Sequence, residues 1–130
     1  MGASTADVFM YIFASLVALL HVYFMVLEMF LWQKESTLRR FRMSAEKAEA
    51  TASLAKNQGL YNGFLAAGLV WGMTAAVPSE SYERVVFFLA CVVVAGLYGA
   101  VTASRGILYF QAMPAIIALV VTIIAWSLHG

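Results

Sequence analysis

The sequence predicts an all-α integral membrane protein, a bundle of four transmembrane helices whose second helix extends into the cytosol. Hydropathy and the placing of charge both point there. The chain is 63% hydrophobic and 12% charged, against the roughly 45–50% apolar content of soluble domains, so lipid rather than water is its main solvent. Residues 59–77, 85–104 and 106–128 carry no charge, and each run is close to the ~20 residues that a spanning helix needs. Residues 8–32 form a longer run interrupted by one acid, Glu28.

These runs use most of the 130 residues, which predicts a single domain with helices at about 8–32, 44–77, 84–104 and 107–128. The first run has no basic head and no small-residue cleavage pattern, so it is expected to remain in the mature chain rather than serve as a secretory signal. Cys91 is the single cysteine, which excludes a disulfide within one chain and reads as a structural thiol.

Charge sets the expected topology. Lys34, Arg39, Arg40, Arg42, Lys47 and Lys56 stand against Glu35, Glu46 and Glu49 in the first connection, and the positive-inside bias assigns such a loop to the cytosol. The second connection, residues 78–83, holds acids and no base, and the third holds only Arg105. The reading is a multi-pass protein of the cell inner membrane with N and C termini outside, on the periplasmic side.

Residues 43–56 are rich in Ala, Glu, Lys and Leu, and Ser44 offers an N-cap, so the second transmembrane helix is expected to begin near Ser44. Along it, Gly59 with Gly63 and Gly68 with Gly72 form small-residue pairs on opposite faces. Neighbours on both flanks follow, and with them a homo-oligomer, read as a trimer. Gly96 and Gly99 offer a similar face in the third helix.

Polar residues inside spans are costly and mark function by default. Glu28 and His21 lie on one stripe of the first helix, with Glu28 roughly 6 Å below the interface and His21 roughly 16 Å, near the midplane. His21 reads equally as a satisfied core residue. Near the level of Glu28 fall Asn57, Gln58, Tyr61 and Asn62 at the start of the second helix, Tyr98, Thr102, Ser104 and Arg105 at the end of the third, and Tyr109 and Gln111 at the start of the fourth. Tyr98, Thr102 and Arg105 share a helix face at spacings of four and three. The pattern predicts a cytosol-facing pocket lined by Glu28, Asn57, Tyr61, Asn62, Tyr98, Thr102, Arg105, Tyr109 and Gln111. Mutual hydrogen bonding that fixes helix register is the structural alternative.

Glycine-rich phosphate loops, Cys/His metal clusters and nucleophile elbows are absent from the sequence, which removes metal sites and nucleic acid from the expected partners. The bilayer, further copies of the chain and a small amphipathic ligand remain.

The run 27–32, LEMFLW, with 57–66, NQGLYNGFLA, Tyr98-Gly99 and residues 111–114 resembles a family of small bacterial four-helix membrane proteins known only as a domain of unknown function, family 1304. The likeness spans nearly the whole chain and implies no activity. In layout the chain is also similar to the membrane-associated proteins of eicosanoid and glutathione metabolism, which are four-helix trimers with an active site between subunits near the cytosolic face. Asn57 and Tyr61 match that family's second helix, and Ala103-Ser104-Arg105 with Tyr109 look like the end of its third. Leu60 stands where that family has an acid, and no arginine follows Arg105. The resemblance implies glutathione as a candidate cofactor and an enzyme with Arg105 and Tyr61 as catalytic candidates, Arg105 stabilising a developing anion, and Glu28 joins them as the costly acid of the first helix.

The leading expectation is therefore a membrane protein that binds a lipophilic or amphipathic molecule, as an enzyme or as a binder. The alternative is a proton-coupled transporter using Glu28, as in the small multidrug resistance exporters, which also carry one membrane glutamate in the first of four helices. A purely structural membrane protein is the third reading.

Overall fold

The computed structural model describes residues 2–130. Its elements are α1 (Thr5–Phe30), α2 (Glu35–Phe41), α3 (Ala45–Met73), α4 (Pro78–Thr102), a π-helical turn (Leu108–Ala112) and α5 (Met113–His129). Among the described residues no strand occurs. Three helical segments, Thr5–Phe30, Pro78–Thr102 and Leu108–His129, are long and apolar enough to cross a membrane. The uncharged part of α3, residues 57–73, is shorter than the ~20 residues of a full span and includes Asn57, Gln58, Asn62 and four glycines.

The ends of the elements follow local chemistry. α1 starts at Thr5, earlier than hydropathy suggests, because Ser4 and Asp7 form a reciprocal cap. The Asp7 amide donates to Ser4 Oγ at 3.2 Å, and the Ser4 amide donates to Asp7 Oδ2 at 2.7 Å, which satisfies donors that a helix start leaves bare. α3 opens on Ser44, whose Oγ accepts from the Lys47 amide at 3.1 Å. α4 starts at Pro78 rather than near residue 84, because proline fits the first helical position and holds Val77 extended. Two of the three charges that follow are matched within that helix. Arg84 pairs with Glu80 at 2.6 Å and lies 4.0 Å over the Trp71 ring.

Two elements lie outside the sequence expectation. α2 is a short helix inside the basic connection, between residues where only a loop was expected. The π-turn at Leu108–Ala112 precedes Pro114, whose missing N–H removes one rung of the ordinary ladder, and a turn with i→i+5 spacing absorbs the mismatch.

The chain divides into two compact units, one formed by residues up to Leu19 with Leu65–Gly130, the other by Leu20–Phe64. In the first, Ala14, Val17 and Ala18 of α1, Leu69 of α3, Val85, Leu89 and Val92 of α4, and Ala115 and Ala118 of α5 form the core. Small alanines let the backbones approach, and dense van der Waals contact holds helices together where lipid removes the hydrophobic drive. Gly68 lies under the Phe88 ring and Gly72 against Val85, while a Cβ at Gly96 would lie 2.7 Å from the Ala112 backbone nitrogen. In the second unit, Cβ atoms at Gly59 and Gly63 would each meet a methionine of α1 at 2.7 Å, Met29 and Met25 respectively. Both glycine pairs are thus taken up by helix contacts within the chain, so they are not the free faces from which an oligomer was expected. Large apolar side chains such as Leu19, Phe30, Val94, Val101 and Phe110 point outward, as a lipid solvent permits.

Candidate functional sites

Glu28 lies on the part of α1 that faces α3 within the Leu20–Phe64 unit. The amide of Asn62 donates from Nδ2 to Glu28 Oε1 at 2.8 Å, and Asn62 is buried. The approach is set by glycine. A Cβ at Gly59 would lie 3.1 Å from the Glu28 Cβ and 3.1 Å from the Met25 carbonyl, so α3 comes close enough for the short Asn62 side chain to reach the carboxylate. Within this unit the carboxylate is held by a neutral amide, and among the described residues no cation of the unit pairs with it. Such a group can accept a proton, a cation or a ligand's hydrogen-bond donor.

The structure brings two of the predicted residues, Glu28 and Asn62, into direct contact. Asn57 and Tyr61 are exposed on α3, and the Tyr61 ring meets Phe64 edge-on at 5.8 Å. His21 is fully buried and makes an edge contact with Phe24 at 5.6 Å. In the other unit, Tyr98, Thr102, Arg105 and Tyr109 are exposed, and Gln111 is half-buried in the π-turn. The Thr102 hydroxyl donates to the Tyr98 carbonyl of its own helix at 2.8 Å. None of these residues lines the shallow apolar groove formed by Ile123, Trp126, Ser127 and Gly130. Glu28 and Arg105, expected near one level of the bilayer, belong to different units.

A second polar cluster escaped the sequence reading. Asp7 of α1 and Tyr82 of α4 are both buried, and the Tyr82 hydroxyl donates to Asp7 Oδ1 at 2.5 Å. Asp7 Oδ2 receives the Ser4 amide and hydroxyl at 2.7 and 2.8 Å and lies 3.2 Å from His129 Nε2 of α5. His129 Nδ1 is 3.0 Å from the Tyr82 oxygen and 2.9 Å from the Ala125 carbonyl, and Trp126 stacks on Tyr82 at 6.1 Å. Four donors converge on one carboxylate, which ties α1, α4 and α5 at one end of this unit. Ser4 and Asp7 at capping-box spacing were readable in the sequence. Tyr82 and His129 were not, because only the fold brings them to Asp7.

A helical, lipid-facing protein with one amide-held carboxylate and no assembled catalytic set among the described residues is the class these features define. The chain belongs to the family described as Protein of unknown function (DUF1304), whose model matches residues 15–123. It is 36% identical over 111 residues to the uncharacterized protein YpaA of Lactococcus lactis subsp. lactis (strain IL1403), an alignment that covers 84% of this chain and 92% of that protein. No solved structure matches.

Proposed function

We propose that this chain is a multi-pass protein of the cell inner membrane in which Glu28 and Asn62 form the polar end of a site for a lipophilic or amphipathic small molecule. The carrying observation is the 2.8 Å bond from Asn62 to Glu28. An amide orients the carboxylate without neutralising it, and a carboxylate among apolar helices calls for a further proton or polar partner. In this reading α3 completes a fourth span, residues 33–58 lie in the cytosol, both termini are periplasmic, and the site faces the cytosol.

Assembly as a homo-oligomer, with a trimer as the proposed form, belongs to the same reading. Its support is the exposure of Tyr61, Tyr98, Thr102 and Tyr109 on helices that otherwise present apolar surface, and of Arg105 in the turn that follows α4. A second copy covering them would bring Arg105 toward Asn57, Tyr61 and Glu28 and complete the pocket. Enzymatic use of Glu28, Arg105 and Tyr61 depends on that assembly.

A lipophilic carbodiimide tests access to Glu28. It should attach to Glu28 of the folded protein in membranes, as read by peptide mass spectrometry, and excess ligand should block it. No attachment at Glu28 would mean that lipophilic molecules do not reach the site. The second reading, proton-coupled transport, is favoured by the neutral partner of Glu28, since a carboxylate without a fixed counter-charge can exchange protons with a cationic substrate. Proton movement driven by substrate in sealed vesicles, lost in Glu28→Gln, would select it.

A further inference from the structure

The basic connection holds a cation whose surroundings within the chain are incomplete. Arg40 of α2 turns back along α1, where its Nη1 donates to the Tyr23 hydroxyl and its guanidinium lies 5.7 Å from the centre of the Tyr23 ring. Tyr23 lies about 10 Å before α1 ends at Phe30, at ~1.5 Å per residue. The surface there is apolar and outward-facing, with Tyr23, Val22 and Phe30 all exposed. A permanent cation is therefore held beside a lipid-facing stretch of helix, at a level where an unmatched charge is costly.

Among the described residues the ion pairs are Arg39 with Glu35, Arg84 with Glu80 and His129 with Asp7. Arg40 has a phenol and a ring as partners, and neither carries the opposite charge. A guanidinium presents five donors in a planar fork, and one of them goes to Tyr23. The rest match the oxygens of a phosphate.

The turn that ends α2 adds to this. Arg42 sits in the left-handed region at φ 50°, a conformation that glycine takes without the steric penalty a side chain incurs. The Arg42 amide bonds to the Arg39 carbonyl at 3.3 Å and the Met43 amide to the Leu38 carbonyl at 2.9 Å, so the conformation is fixed by the cap. A third guanidinium thereby stands at the same end of α2 as Arg39 and Arg40. Beside them Phe41 is exposed, and its ring lies 6.2 Å from Trp32, an aromatic pair of the kind that settles at the membrane interface.

We propose that α2 lies along the membrane interface and that Arg40 and Tyr23, flanked by Arg39 and Arg42, bind the phosphate of an anionic phospholipid. The site rests on the membrane placement of α1 and is separate from the Glu28 site.

Native mass spectrometry of the detergent-extracted protein, exposed to equal amounts of phosphatidylglycerol and phosphatidylcholine, tests this. The wild type should keep phosphatidylglycerol in preference. Arg40→Gln should weaken that retention roughly tenfold, and Arg40→Lys, which keeps charge but not the fork, by less. Tyr23→Phe, which keeps the ring, and the pair Arg39→Gln with Arg42→Gln should each reduce the preference even where Arg40→Gln fails to fold. Glu28→Gln should leave it intact, which separates failure here from failure of the Glu28 reading. Equal retention of both lipids, retention unchanged in all these variants, or displacement of the lipid by millimolar inorganic phosphate would overturn the proposal.

Discussion

The Tyr82 hydroxyl and the Asp7 carboxylate meet at 2.5 Å, although 75 residues separate them in the chain. Both side chains are buried, so the bond fastens the N-terminal end of α4 to the first turn of α1. A hydrogen bond to a charged group contributes about 1.5–3 kcal/mol. Tyr82→Phe should therefore destabilise the protein by about 2 kcal/mol, read as a lowered midpoint in thermal unfolding in detergent. An unchanged midpoint would make the cluster incidental. Ser4→Ala should lose less, since Tyr82 and His129 still hold Asp7.

Glycine contacts make a ranked prediction. A Cβ at Gly96 would collide with the backbone of Ala112, whereas one at Gly99 would meet the movable side chain of Ile107 at 3.2 Å. Gly96→Ala should cost about 1–3 kcal/mol as an overpacked contact, and Gly99→Ala should be milder. Equal stability of the two variants in urea or heat would contradict the close approach of α4 to the π-turn.

Much of the architecture was legible in the sequence because the helices are set by hydropathy and composition. The apolar runs marked α1, α4 and α5, and Ser44 marked the start of α3. What stayed hidden arises from contact. The two glycine pairs were visible as small faces, but sequence does not say whether a small face meets a helix of its own chain or of another. Here Met25 and Met29 fill one pair and Val85 and Phe88 the other. The π-turn was hidden because Pro114 is compatible with a plain helix start as well as with a widened turn. Glu28 was legible as a costly residue, while its partnership with Asn62 depends on the crossing point of α1 and α3.

Topology is predicted by the basic connection. In a Cys91→Ser background, a cysteine at Ser44 should be protected from an impermeant thiol reagent in intact cells, and one at Ser79 should be labelled. Both positions are exposed. The opposite pattern would invert the orientation and place the Glu28 site toward the periplasm.

Asn62 and Glu28 should separate stability from binding. Asn62→Leu leaves a half-buried carboxylate without its donor and should cost about 1–3 kcal/mol. Glu28→Gln keeps an acceptor for the Asn62 amide, so the fold should stay within about 1 kcal/mol of wild type. Additive effects in the double variant would show that the two side chains do not interact.

Because Glu28→Gln should keep its stability, it is the means of testing the proposed site. Wild type and Glu28→Gln, extracted from the same membranes in mild detergent and matched for thermal midpoint, would be compared by mass spectrometry of their bound small molecules. The wild type should carry an amphipathic molecule in fixed ratio to the chain, and Glu28→Gln should lose it. The same molecules in the same amounts on both proteins would contradict a ligand site at Glu28.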